Sequence, residues 1–170
     1  MLNKEIVKLL NEQINKEFYS AYLYMDMANY YSEKNLNGFE HWFFVQLQEE
    51  RDHALLFRTY LLNNGEIVTL DAIAAPDKSY TNFKDPLVMA LEHEIYVTAS
   101  INVIYDAAYK VKDFRTMQFL DWFVKEQGEE EMNADNNIKK FDLFAGDAKG
   151  LYMLDNELKA RIYAAPSLVI

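Results

Sequence analysis

The sequence predicts an all-α fold: a four-helix bundle with one long crossover and a short fifth helix near the C-terminal end. Three observations carry this expectation. Apolar residues recur at three- and four-residue steps in four long blocks, the period of one helix face. Only 5 glycines and 3 prolines punctuate 170 residues, too few for the turns a sheet would need. One stretch between the second and third blocks, up to Lys84, has no helical period, so two helical hairpins are joined by a single long connection rather than by short up-down loops.

Asn3 can cap a first helix running to about Lys34, where Asn35-Leu36-Asn37-Gly38 reads as a tight turn. The second helix extends to about Leu62 and is stopped by Asn63-Asn64-Gly65. The connection that follows contains Ala74-Ala75-Pro76-Asp77. Asp85 as N-cap with Pro86 at the first helical position opens a third helix to about Lys112. Asp113 caps the fourth, which reaches about Phe144. Gly146 to Gly150 then separate it from a short fifth helix, Leu151 to about Ala164, closed by Pro166. The expected organisation is one domain over 1–170, with the bundle over about 3–144 and the last helix over about 151–164.

Composition narrows the chemistry. Without cysteine, disulfides, thiolate metal sites and cysteine nucleophiles are excluded, so a metal must be held by carboxylates and imidazole. A net charge of -10 weighs against nucleic acid, whose phosphates require a basic surface, and suits cations. Met1-Leu2-Asn3-Lys4-Glu5 has no signal-peptide pattern, and no apolar run of a membrane-spanning ~18 residues is expected. The expectation is a cytoplasmic protein with no membrane partner.

The core stripes hold the informative residues. The first helix presents Ile6, Leu10, Gln13, Glu17, Ala21, Tyr24, Ala28 and Tyr31; the second presents Phe43, Leu47, Glu50, Ala54, Phe57 and Leu61. The third presents Leu87, Leu91, Glu94, Thr98, Ile101, Tyr105 and Ala108; the fourth presents Leu120, Phe123, Gln127, Glu130, Ala134, Ile138 and Phe141. Each stripe contains a glutamate near its helix midpoint, so Glu17, Glu50, Glu94 and Glu130 should share one layer. One such glutamate is ordinarily a boundary residue, but four in a layer are not. A buried carboxylate costs several kcal/mol unless compensated, and Lys16, Arg51 and Lys125 should point outward. Two divalent cations would balance the four charges. His53, one turn after Glu50, supplies a neutral nitrogen in the Glu-x-x-His spacing of di-iron bundles. Such a donor set suits iron, manganese or zinc. His41 and His93 stand alone and are expected at the surface.

These residues at these spacings resemble the bacterial non-haem ferritins, over essentially the whole chain. The matching motifs are Glu17, Glu49-Glu50-Arg51-Asp52-His53, Glu94 and Glu126-Gln127-Gly128-Glu129-Glu130. The resemblance implies a ferritin-like bundle and a ferroxidase centre in which Glu17, Glu50 and His53 hold one iron, and Glu50, Glu94 and Glu130 the other, with Glu50 bridging. It implies Gln127 beside the second iron, and Glu49, Glu126 and Glu129 with Glu130 at an additional third site. Tyr24 matches the family's tyrosine near the metals and is the expected catalytic side chain; Trp122 matches a family aromatic. Arg51 stands where a bacterioferritin would place its haem-ligating methionine, so no haem is expected. Asn133 follows Glu130 where bacterioferritins and rubrerythrins repeat their histidine. The implied activity is oxidation of ferrous iron by dioxygen and storage of the ferric product inside a homo-oligomeric, 24-subunit shell. A di-iron oxidase without storage, or a metal-free helical module, are the alternatives that shell size and metal analysis separate.

Overall fold

The computed structural model describes residues 1–170 as five helices: α1 (Lys4–Glu33), α2 (Asn37–Asn63), α3 (Asp85–Val111), α4 (Phe114–Phe144) and α5 (Ala148–Leu158). α1 pairs with α2 and α3 with α4; α1 also packs on α3, and α5 lies against α2 and α4. The Asn3 side chain accepts from the Glu5 amide at 2.8 Å and the Asp113 side chain from Thr116 at 3.1 Å, as their N-cap positions demand.

The core divides into two apolar clusters. One combines the start of α1 with the end of α2, including Ile6, Leu10, Phe57 and Leu61, together with Ile101, Ile104, Phe119 and Phe123. The other combines the end of α1 with the start of α2, including Tyr24, Met27, Tyr31, Phe39 and Phe43, together with Leu87 and Leu154. The four seam glutamates belong to neither cluster. Along each helix they fall between the two, so the bundle is apolar above and below one polar layer.

Several boundaries differ from the sequence expectation. Asn37 and Gly38 are the first residues of α2 rather than part of a turn. Gly38 is required by packing: a Cβ there would lie 1.6 Å from the Asp155 carbonyl oxygen. Asp155 also supplies the missing cap, accepting from the Gly38 and Phe39 amides at 2.8 and 3.1 Å. Asp85 is the first residue of α3, not its cap; its carboxylate instead accepts from Thr81 and Asn82 in the preceding turn. α5 begins earlier and ends earlier than expected, at Ala148 and Leu158. Asp147 caps it by accepting from Gly150 at 2.8 Å, and beyond Lys159 no residue is helical. That tail follows α2 and α4, with Trp122 Nε1 donating to Ser167 Oγ at 3.0 Å and Leu168 packed on the first cluster. Contrary to expectation, one helix, α3, is long and apolar enough by composition to span a membrane. Its seam, including Glu94, is packed into the bundle, which accounts for part of that hydropathy.

Candidate metal centre

The four seam glutamates are buried together with one imidazole: Glu17 and Glu50 are 1% exposed, Glu94 and His53 2%, and Glu130 5%. No lysine or arginine is among the buried residues. Each side chain arrives from a different helix, except that Glu50 and His53 lie one turn apart on α2, so their side chains emerge on the same face. Carboxylate oxygens of Glu17 and Glu50 and a ring nitrogen of His53 all lie within 4.8 Å of one another. His53 Nδ1 stands 3.5 Å from Glu50 Oε2.

Neutral donors fill much of the remaining coordination space. Gln13 donates to Glu17 at 2.8 Å, Gln46 to Glu130 at 2.7 Å, and Gln127 to Glu94 at 3.0 Å. The Tyr24 hydroxyl donates to Glu94. Glu17 Oε2 alone is a buried side-chain polar atom with no partner, which costs about 1–3 kcal/mol and leaves an unused acceptor on a carboxyl that lies in the His53–Glu50 cluster.

Electrostatics follow from this crowding. Burial, reinforced by the charge of Glu50, pushes the Glu17 carboxyl up to about 8. Burial and the charges of Glu94 and Glu130 raise Glu50 well above the ordinary carboxylate range. Burial, then Glu94, takes Glu130 to about 7. Burial raises Glu94 too, opposed by hydrogen bonds from Tyr24 and Gln127. Without a cation the layer therefore retains protons near neutrality. Buried oxygens that resist ionisation, with one unpartnered and one imidazole among them, fit a divalent cation that would displace those protons.

The other expected residues are placed as follows. Tyr24 is buried beside the layer, its ring edge-on to His93 at 5.9 Å, and burial followed by the charge of Glu94 holds its hydroxyl protonated. Trp122 and Phe123 pack edge-on against His53. Glu49 is half-buried and pairs with Arg161 at 2.5 Å; burial, opposed by that guanidinium, takes it to about 7. Glu126 is half-buried, while Glu129 is exposed and faces Lys125 at 3.5 Å. His93 is not a free surface histidine: it is half-buried, 2.7 Å from Ser20 Oγ, and burial lowers it to about 4. His41, also half-buried, contacts the Arg161 carbonyl at 2.8 Å.

Sequence reasoning passed over Gln46 and Arg161. Gln46 precedes Glu50 by one turn and could have been found from that spacing. Arg161 carries no local signal, because its contacts lie more than a hundred residues away in the chain.

The chain is similar to known proteins over nearly its whole length. The profile of the ferritin-like domain matches residues 7–144. The bacterial non-haem ferritin of Campylobacter jejuni is 39% identical over 159 residues, covering 94% of this chain and 95% of that protein. A bacterial non-haem ferritin of Staphylococcus saprophyticus is 36% identical, covering 96% and 98%. Among solved structures, an open-pore ferritin from the hyperthermophilic archaeon Archaeoglobus fulgidus superposes with a TM-score of 0.92 at 38% identity, over 95% of this chain and 100% of that one. A closed form of the same ferritin, engineered by site-directed mutagenesis, gives 0.94 over 96% and 100%.

Proposed function

The chain belongs to the non-haem ferritin family, and from that premise we propose that it is a ferroxidase that oxidises Fe(II) with dioxygen and stores the ferric product in a shell of 24 identical subunits. The observation that carries the reading is the buried layer of four glutamates and one histidine with no internal positive charge. Iron is the substrate of this site. Glu17, Glu50 and His53 hold the first ion, and Glu50, Glu94 and Glu130 the second, so Glu50 bridges them and the four carboxylates match two divalent charges.

The chain's own groups place the ions and manage protons. Binding displaces the protons that burial keeps on the carboxyls, and the neutral amides of Gln13, Gln46 and Gln127 hold the oxygens without offsetting their charge. Gln127 lies beside the second ion, and Tyr24 fixes Glu94 through its hydroxyl. Two ferrous ions together release two electrons, which reduce one dioxygen with two protons to hydrogen peroxide, or further to water when more Fe(II) is supplied. The ferric product hydrolyses and leaves toward the interior. A third ion, at Glu49, Glu126 and Glu129 with Glu130, belongs to the same reading.

Assembly is supported by apolar side chains that one subunit leaves uncovered: Ile95, Tyr96, Val103 and Tyr109 on α3, and Tyr152 and Met153 on α5. Surfaces of this kind mark contacts with other chains. We place residues 1–170 in a single domain working in the cytoplasm, with no haem, nucleic-acid or membrane partner.

Stopped-flow absorbance of the ferric product after aerobic Fe(II) addition tests the assignment. Glu50→Ala, which removes the bridge, should abolish the fast phase. His53→Ala should weaken binding of the first ion and leave part of the rate. Wild-type oxidation by Glu50→Ala would refute the site.

A further inference from the structure

The C-terminal tail places a positive charge at the edge of the carboxylate layer. Arg161 Nη2 donates to Glu49 Oε2 at 2.5 Å, and Nη1 donates to Gln46 Oε1 at 2.8 Å and to the Trp42 carbonyl at 3.2 Å. The guanidinium lies 4.4 Å from the centre of the Trp42 ring. The backbone on either side is tethered too. The Arg161 carbonyl contacts His41 at 2.8 Å, and the Tyr163 hydroxyl donates to Asp52. His41, Trp42, Glu49 and Asp52 all belong to α2, so the tail is strapped along this helix, and Ser167 fastens it to Trp122 on α4.

Two physical consequences follow. A guanidinium has donors only, so contact with Arg161 requires Gln46 to turn its oxygen outward. Its Nε2 is thereby directed to Glu130 at 2.7 Å and toward Glu50 at 3.4 Å. In addition, one of the two Glu49 carboxylate oxygens, Oε2, is already engaged in a charged hydrogen bond, with the cation stacked on an aromatic face and its side chain only 18% exposed. Such pairs are among the stronger protein hydrogen bonds.

We propose that Arg161 is a tethered cation that occupies the Glu49 edge of the centre, so that a third divalent ion binds only by displacing it, while the same side chain acts as a positioning residue for Gln46. The third ion is thus in competition with a part of the protein. A polar cleft of about 310 Å³, lined by Asn133, Asn136, Asn137 and Lys140 beside Arg161, gives the displaced guanidinium somewhere to go. The inference uses the two-iron reading only as the count from which a third ion is measured.

Anaerobic Fe(II) titration of the assembled shell, by calorimetry and by equilibrium dialysis, tests it on wild type, Arg161→Gln and Arg161→Gln with Glu49→Gln. Wild type should hold two ions per subunit tightly and a third weakly. Arg161→Gln should tighten the third roughly ten- to hundredfold, the range for a lost charged hydrogen bond, and the double variant should lose it again. A third ion bound equally well by wild type and Arg161→Gln, or absent from both, overturns the proposal. The two-iron reading is judged separately, by whether wild type holds two. Should Arg161→Gln fail to assemble, wild type with excess Zn(II) replaces it. Tryptophan emission should then change between the second and third equivalents as Arg161 leaves Trp42, and binding of a third ion with unchanged emission overturns the proposal.

Discussion

Glu17→Gln in the metal-free protein isolates the cost of building the centre. The Glu17 carboxyl is pushed from about 4.5 in the unfolded chain to about 8 in the folded one. At pH 7 it is therefore protonated in the fold and ionised on unfolding. A group that binds its proton more tightly when folded contributes stability below its unfolded value and loses it as pH rises through the window between about 4.5 and 8. The slope is about 1.4 kcal/mol per pH unit, so the group disfavours folding by about 3 kcal/mol at pH 7 relative to pH 4.5. Glutamine has the same shape and no titration. Its oxygen can still accept from Gln13, and its amide N–H takes the place of the unpartnered Oε2. The variant should thus be more stable than wild type by up to about 3 kcal/mol at neutral pH, several degrees in melting temperature, with the gain shrinking toward pH 4.5. Differential scanning calorimetry of chelator-treated protein at pH 5 and 7.5 reads this directly. Anaerobic Fe(II) should reverse the order, because glutamine is a poorer ligand for the first ion. An apo melting temperature at pH 7.5 equal to or below wild type would refute the reasoning, as would a gain that is larger at pH 5.

Three further outcomes are expected. Gly38→Ala places a methyl group into the Asp155 backbone and should detach α5 from α2, lowering the melting temperature and shifting light scattering toward smaller species; an intact shell would count against the packing described. Asp155→Ala keeps that space but removes the cap on α2, and should cost about 1 kcal/mol, well short of the glycine variant in the same calorimetric scan. Wild-type protein at micromolar concentration should sediment as a large hollow particle, and a population of monomers or dimers alone would exclude the 24-subunit shell.

The helical fold and the layer of Glu17, Glu50, Glu94 and Glu130 were legible because both are periodic: a carboxylate in an apolar seam is visible at helix spacing wherever it falls. All eight residues expected in the α1 seam are buried. In α3 the seam is rotated, with Ala90, Val97 and Ile104 buried and Leu91, Thr98 and Tyr105 only partly so, since neighbouring stripes on an apolar helix look alike in sequence. What stayed hidden depends on contacts between distant residues. Gly38 reads locally as a turn glycine, but its reason is Asp155, which arrives from α5. The start of α5 was masked by Gly146 and Gly150, whose composition resembles a loop although Asp147 caps a helix there. The extended tail was missed for the same reason, as Arg161 and Tyr163 are held by residues of α2 rather than by their neighbours.

The choice of donors around the layer explains why it stays ready for cations. A buried carboxylate has two separable requirements, hydrogen-bond partners for its lone pairs and opposite charge for its ionised form. A lysine or arginine inside the layer would have satisfied both and left nothing for a metal to supply. Gln13, Gln46, Gln127 and Tyr24 satisfy only the first. They fix the oxygens in place, limit rearrangement when an ion enters, and leave the charge unbalanced, so the metal-free layer retains protons instead. Arg161 provides the contrast, since the one guanidinium that approaches is held at Glu49, outside the fully buried set. Replacing an inner amide by a cation, as in Gln127→Lys, should therefore stabilise the apo protein at neutral pH while weakening Fe(II) binding beside Glu94. Paired melting and anaerobic binding measurements on that variant would show the two effects moving in opposite directions, and a loss of both together would mean that the amides serve only to pack the core.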